Sequence, residues 1–355
     1  MLGFVKALVS RKHQVTIFGS GGGNPTEVSL ARSLGADYIE VCPFVIDPGS
    51  ARSMVFALRL LGKLTRFSRK SGIDVLQFTN YSMNCLLYPL IKSSLSVPII
   101  TDLHALPYGP SEPGLENPLS ESCFTIYYEF AVKFSDAIIA PTDELREFFG
   151  RRYHKVISAI PNCISYLPTD SYSTKPSTNS SAKIFFHANF DLARSLRELE
   201  RLSEVVRRIQ ARGYMLRVLV AGPGSQRLGN VREPLIKLGY VRDPYLFLLD
   251  SDLQILPLKD LGMGLHSRIV EGMAAGKPIV ASREACCGFL RYLDESGIVV
   301  CDSIDQMVQA VCSLLDDPIR RNEMGVRNRL LADRLFSPQS IGVSLERVYS
   351  ELMNK

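Results

Sequence analysis

No uninterrupted apolar run in this 355-residue chain approaches the roughly 18 residues that a membrane-spanning helix needs. The opening "MLGFVKALVSRKHQ" also lacks the pattern of a signal peptide, because Lys6 interrupts the apolar stretch and no small-residue cleavage site follows. The eight cysteines (42, 85, 123, 163, 286, 287, 301, 312) include no CxxC pair and no His/Cys spacing of a zinc site. Most sit in apolar surroundings such as "IEVCPFV" and "IVVCDS", as small core residues do in a reducing cytosol. A strong charge bias is missing too: 41 Lys+Arg against 36 Asp+Glu leave +5. That mild excess suits an anionic ligand or a membrane surface and is too weak to argue for nucleic acid. No short-period repeat is found, and no DxD-like pair stands at a strand end to hold a metal. With 46% hydrophobic and 22% charged residues, neither a disordered chain nor a fibre is indicated.

What is present is an alternation. Short apolar runs ("QVTIF", "DYIEVCPFV", "DVLQFT", "VPIITDLH", "DAIIAPT", "KVISAIPN") alternate with helix-length stretches at 51–70 and 121–135, and "TDELREFF" follows an N-cap Thr142. The same rhythm returns in "AKIFFHAN", a long helix near 195–212, "LRVLVAGPG", "DLQILPL", a helix over 265–275, "KPIVAS", "GIVVC" and helices to the end. Between the halves, residues 168–182, "PTDSYSTKPSTNSSA", hold ten Ser, Thr or Pro in fifteen positions and read as a linker. The expectation is α/β, with two Rossmann-like doubly wound parallel-sheet domains, 1–167 and 183–336, facing across a cleft at their strand carboxyl ends. The chain opens on a helix running into a strand, where such a domain normally opens with a strand and a glycine turn. Gly21–Gly23 follow a later strand and read as an ordinary loop.

The stretch "GMGLHSRIVEGMAAGKPIVAS", Gly262 to Ser282, combines a glycine-rich entry, one short helix and a Gly-Lys-Pro break into a strand. A helix needs no glycines to start, so these suggest a ligand approaching the backbone. "SRIVEGMAAGKPIVAS" resembles the donor-site signature of the retaining GT-B glycosyltransferases of family 4. "SDAIIAPTDELREFF", "IPNCIS" and "LRVLVAGPGS" resemble further segments of that family in the same order, so the likeness runs from about residue 4 to the C-terminus.

The resemblance implies a GT-B fold, with an acceptor-side first domain onto which helix 337–355 packs back, and a second domain that binds a nucleotide-sugar. It implies no resident cofactor and no metal. Backbone N–H groups of Gly264, Leu265 and His266 at a helix N-terminus would take the diphosphate, and Arg268 would reach phosphate oxygens. Glu271, one turn on, would accept from ribose hydroxyls. The rival reading of Arg268 and Glu271 is an i,i+3 surface ion pair, worth roughly 0.2–0.5 kcal/mol. Gly222 and Gly224 resemble the turn beneath the donor, and Val241 and Arg242 the segment whose backbone meets the base. His104, at the end of a strand, matches the family's histidine near the reacting sugar, with a structural histidine as the alternative. His187 has a weaker claim, and His13 and His154 read as surface residues.

Several positions depart from the family pattern. Met263 stands where the first glutamate of the signature falls, Asn189 where a phosphate-clamp arginine falls, and Cys163 where a glycine falls, while Arg194 replaces the clamp lysine.

In "RSMVFALRLLGKLTRFSRK" (52–70), Arg52, Arg59, Lys63, Arg66 and Lys70 form a basic helical stripe opposite Leu60, Leu61, Leu64 and Phe67. Such a helix fits acidic lipid; a solvated face over a core face gives the same pattern. The combined expectation is a cytoplasmic enzyme, peripheral at the inner membrane face, that moves a sugar from a nucleotide-sugar to a saccharide or lipid-linked acceptor. The alternatives are a catalytically silent nucleotide-sugar-binding protein or partner subunit of the same fold, and a sugar-nucleotide epimerase.

Overall fold

The computed structural model describes residues 2–20, 25–43, 51–79, 83–103, 118–153, 155, 157–164, 181–229, 233–259 and 265–354. The first half runs α1 (Leu2–Ser10), β1 (Thr16–Ser20), α2 (Pro25–Ser33), β2 (Asp37–Cys42), α3 (Ala51–Ser71), β3 (Leu76–Thr79), α4 (Tyr88–Leu95), β4 (Ile99–Asp102), α5 (Pro118–Phe134), β5 (Ala137–Ala140), α6 (Asp143–Tyr153) and β6 (Ile157–Ala159). The second runs β7 (Ala182–His187), α7 (Ala193–Gln210), β8 (Leu216–Ala221), β9 (Leu235–Gly239), α8 (Pro244–Leu249), β10 (Gln254–Leu256), α9 (Ser267–Ala274), β11 (Ile279–Ser282), β12 (Ile298–Cys301), α10 (Ile304–Asp316), α11 (Pro318–Phe336) and α12 (Pro338–Met353). The chain divides into two compact units, 1–165 with 337–355, and 166–336.

In the first unit β3, β4, β5 and β6 form a parallel sheet, and β1 pairs with β2 in a separate parallel pair. Among the described residues β1 and β3 therefore each keep one edge unpaired. Consecutive residues of a strand point to opposite faces, and β4 shows the result: Ile99 joins the core under α3 and α4, Ile100 the core under α1. Helix α12 closes that second face with Ile341, Leu345 and Val348 against Phe4, Ala7 and Leu8 of α1. Polar contacts hold it there, because Arg11 Nη2 donates to Glu346 Oε2 at 2.5 Å and His13 Nε2 lies 2.8 Å from Glu346 Oε1. His13 is thus a surface residue with a partner. Thr142 caps α6 as its sequence suggests, accepting from the Leu145 N–H at 3.2 Å.

In the second unit β9-β8-β7 and β10-β11-β12 are parallel, and a parallel bridge between Ile184 and Leu253 joins β7 to β10. The resulting order β9-β8-β7-β10-β11-β12 is that of a doubly wound sheet, with the reversal of strand order between β7 and β10. Ile184, Phe186, Val218 and Val220 face α7 and α10, whereas Phe185, Leu219 and Ala221 face α8. Strand β9 and helix α8 are absent from the sequence-based expectation. "LIKLG" is short and broken by Lys237, whose Nζ donates to the carbonyl oxygen of Leu228 at 2.9 Å, so it carries little apolar periodicity. It is an edge strand, with Leu235 in the core under α7 and α10 and Leu238 against the cluster under α8.

Of the expected linker, residues 168–180 lie outside the described residues, and β7 begins at Ala182. None of the seven described cysteines is in a disulfide; Cys42, Cys85, Cys286, Cys301 and Cys312 are buried. Among the described residues no helix is long and apolar enough to cross a membrane.

Candidate functional site

A cavity of about 480 Å³ opens in the second unit at the carboxyl ends of four strands. Its wall takes His187 and Asn189 from the end of β7, Gly222 and Pro223 from β8, Tyr240, Val241 and Arg242 from β9, and Leu258 from β10. The rest comes from Ala188 and from the starts of three helices: Leu192, Arg194, Ser195 and Glu198 of α7, Pro244 of α8, and Leu265, His266, Ser267 and Arg268 of α9. The cavity thus sits at the switch point of the sheet, where loops on either side of β7 diverge and leave a crevice.

Helices α7 and α9 both begin without a side-chain cap, at Leu192 and His266. Helix α8, by contrast, is capped by Asp243, whose side chain accepts from the Tyr245 N–H. First-turn N–H groups need partners, and at α7 and α9 the caps that proteins usually supply are replaced by an open cavity, a setting that favours an anion. Two glycines shape the floor. Gly222 has φ +137° and Gly224 φ +73°; a Cβ at Gly222 would overlap the carbonyl oxygen of Ala188, and one at Gly224 would lie 2.7 Å from the backbone nitrogen of Asp191. Asn189 Oδ1 accepts from the Asp191 N–H at 3.0 Å and fixes the turn after β7.

The charged groups pair across helices. Arg268 Nη2 donates to Glu198 Oε2 at 2.5 Å, Nη1 donates to the carbonyl oxygen of His187 at 3.3 Å, and the guanidinium lies 5.1 Å from the Phe186 ring centroid. Glu271 Oε2 lies 2.8 Å from His187 Nε2, without the alignment of a hydrogen bond. The i,i+3 pair between Arg268 and Glu271 does not form: each residue is turned to a different neighbour. Burial holds the His266 imidazole well below its ordinary pKa, with the neighbouring Arg268, His187 and Arg194 acting in the same direction, so the ring is neutral. Burial also raises the pKa of Glu198, against the opposing pull of Arg268, His187 and Arg194.

Of the residues expected at the donor site, Arg268, Leu265, His266, Asn189, Arg194, Gly222, Val241 and Arg242 line the cavity. Glu271 is not part of its wall and meets it through His187. Gly224 lies behind the wall, under the turn at Asp191. Gly264, Met263, His104 and His154 lie outside the described residues. Sequence reasoning missed Glu198 and Tyr240. A signal for Glu198 exists: it falls within the stripe Leu199, Leu202, Val205, Val206, Ile209 that α7 buries, and a carboxylate in a buried period calls for a partner. Tyr240 is an exposed aromatic following an edge strand, a placement with no distinguishing pattern.

Two α/β units with parallel sheets, the second doubly wound around a switch-point crevice, define a Rossmann-like ligand-binding protein. Residues 1–166 match Glycosyltransferase Family 4 and residues 181–317 match Glycosyl transferases group 1. The chain belongs to this glycosyltransferase family and is a nucleotide-sugar-dependent, retaining glycosyltransferase of hexosyltransferase type. It is 23% identical over 317 residues to an alpha-D-kanosaminyltransferase of Streptomyces kanamyceticus, across 83% of this chain and 81% of that one. Its fold, GT-B, is similar to that of sucrose-phosphate synthase from Thermosynechococcus elongatus (TM-score 0.72, 15% identity, covering 99% and 92% of the two chains). It is likewise similar to HepE from Anabaena in complex with UDP and glucose (TM-score 0.71, 12% identity, 99% and 95%).

Proposed function

We propose that this cavity holds the nucleotide-diphosphate part of the donor, and that the sugar passes to a saccharide or lipid-linked acceptor. The observation that carries the reading is the convergence of two uncapped helix N-termini with Arg194, Arg242 and Arg268 on one crevice. The α9 N-terminus, through the backbone of Leu265 and His266, takes the diphosphate with Arg268 and Arg194; for Gly264, outside the described residues, the same role rests on the family resemblance alone. Asn189 orders the turn beside it. Gly222 and Gly224 let the backbone come close, Val241 and Arg242 meet the base, and Glu271 accepts from the ribose hydroxyls. For His104, which lies outside the described residues, a role near the reacting sugar rests on the family resemblance alone. The UDP bound in the solved HepE structure makes UDP-sugars the first donors to test.

In this reading helix termini and guanidinium groups neutralise the diphosphate, so no carboxylate-held cation is required. Transfer from a panel of UDP-, GDP- and ADP-sugars is expected to persist in excess EDTA, with the anomeric configuration of the donor kept in the product. Strict dependence on Mg²⁺ or Mn²⁺ would count against the proposed neutralisation, and absence of transfer from every donor would remove the assignment.

Helix α3 supports a lipid-linked acceptor. Met54, Val55 and Leu58 are exposed on it beside Arg59, Arg66, Arg69 and Lys70, while Phe56, Leu60 and Leu64 are buried. Exposed apolar and cationic side chains on one amphipathic helix suit an acidic membrane surface. The expected stripe is modified in two ways. Lys63 donates to the carbonyl oxygen of Glu40 at 2.5 Å, and Leu61 and Phe67 are only partly buried. Each cation near such a surface is worth about 1 kcal/mol and its pull is screened by salt. The protein is therefore expected to float with vesicles rich in acidic lipid and not with neutral ones, and to be released by salt. Replacing Arg59, Arg66 and Lys70 by Gln is expected to abolish flotation and leave UDP affinity intact. Equal association with both kinds of vesicle would return α3 to a solvated face.

A further inference from the structure

We propose that Glu198 is a positioning residue of the donor site, holding the Arg268 guanidinium on the cavity wall and away from Glu271. The inference rests on the donor-site reading above.

Glu198 is 4% exposed and sits in the buried stripe of α7, where an apolar side chain would pack without desolvation cost. Its Oε1 is buried and accepts no hydrogen bond, so the residue is not there to complete a polar network. What it does hold is Arg268. That arginine is gripped by the Glu198 carboxylate at 2.5 Å, the His187 carbonyl oxygen at 3.3 Å, the His266 Nε2 at 3.4 Å and the Phe186 ring at 5.1 Å.

On an isolated helix, oppositely charged residues three apart pair with each other. Arg268 and Glu271 have that spacing on α9, and such a pair would occupy both the phosphate-binding cation and the ribose-binding carboxylate. The carboxylate from α7 prevents it. Arg268 turns towards Glu198, and Glu271 is left beside His187 with its side chain 40% exposed. Glu198, in the second turn of α7, thereby also ties that helix to the first turn of α9, the two helices whose uncapped starts open on the cavity. It touches no transferred atom in this scheme and acts through Arg268 alone.

The test is a double-mutant cycle read by calorimetry with UDP, GDP and ADP, with thermal unfolding as a check on folding. Glu198→Leu keeps the apolar stripe packed but leaves the Arg268 guanidinium without its carboxylate, so Glu198→Gln, which keeps a neutral acceptor, is measured beside it and decides the test if Glu198→Leu does not fold. Either variant is expected to weaken binding of the best nucleotide, Glu198→Leu roughly tenfold, the scale of one charge-assisted hydrogen bond, and Glu198→Gln by less. In a Glu271→Ala background the same substitution is expected to cost clearly less, because no carboxylate remains on α9 to capture Arg268. A purely structural role predicts equal losses in both backgrounds, and that result overturns the proposal. Wild-type affinity in Glu198→Leu overturns it too. If the unaltered protein binds none of the three nucleotides, the donor-site reading fails first, and this proposal falls with it.

Discussion

Gly222→Ala is expected to destabilise the second unit by more than about 3 kcal/mol and to abolish nucleotide binding with it. Its φ of +137° is one that residues with a side chain rarely adopt. The methyl group would also overlap the carbonyl oxygen of Ala188. Neither backbone can step aside cheaply. The Gly222 N–H donates to the Gly239 carbonyl at 2.9 Å, the Ala188 N–H to the Ala221 carbonyl at 3.1 Å, and the Phe190 N–H to the Pro223 carbonyl at 2.8 Å. Three strand ends are stitched together at this point, and all three contribute to the cavity wall. A loss of this size in a unit of this length corresponds to a fall of roughly 6–12 °C in the unfolding midpoint. Gly229→Ala is the control: among the described residues no atom lies within 4 Å of a Cβ there, so its melting temperature and UDP affinity should match wild type. Wild-type melting of Gly222→Ala would show that the strand ends relax more freely than their hydrogen bonds suggest.

Glu271→Ala is expected to weaken nucleotide-diphosphate binding by roughly 1.5–3 kcal/mol, the range for hydrogen bonds to a charged group. That is about 10- to 150-fold in Kd. The fold should be little changed, because the side chain is 40% exposed and its near neighbour His187 approaches it without a well-aligned hydrogen bond. Helix α9 keeps its buried face, Ile269, Val270 and Met273, in the variant. Calorimetry separates the outcomes: an unaltered Kd for every nucleotide would take the ribose contact away from Glu271.

Much of the second unit can be read directly from its residues. "AKIFFH", "LRVLVA" and "IVAS" are continuous apolar runs because both faces of a parallel sheet are covered, and they form β7, β8 and β11. Asn189, Arg194, Gly222, Val241, Arg242, Leu265, His266 and Arg268 of the cavity wall were legible because glycines, helix starts and arginines cluster at short spacing along the chain; Glu198 and Tyr240 were not. Strand β9 was not, since an edge strand with a lysine at its centre differs little from a loop. The first unit shows a similar limit. The period of α3 marks a basic stripe, but which of its cations is free depends on the backbone beside it, and Glu40 of β2 claims Lys63.

By itself the sequence determined the alternation of strand and helix, the division into two units, the family, and the helix that carries Arg268 and Glu271. These follow from local periodicity and short motifs, which are properties of neighbours in the chain. Only the tertiary structure decided which charges meet. Arg268 has Glu271 three residues away and Glu198 seventy residues away, and it pairs with Glu198 at 2.5 Å. Sheet order makes that choice: β7 and β10 lie side by side, so the helices that follow them, α7 and α9, open on the same crevice. A buried guanidinium needs the partner that burial brings to it, and a solvent-facing neighbour on its own helix offers too little in water to compete.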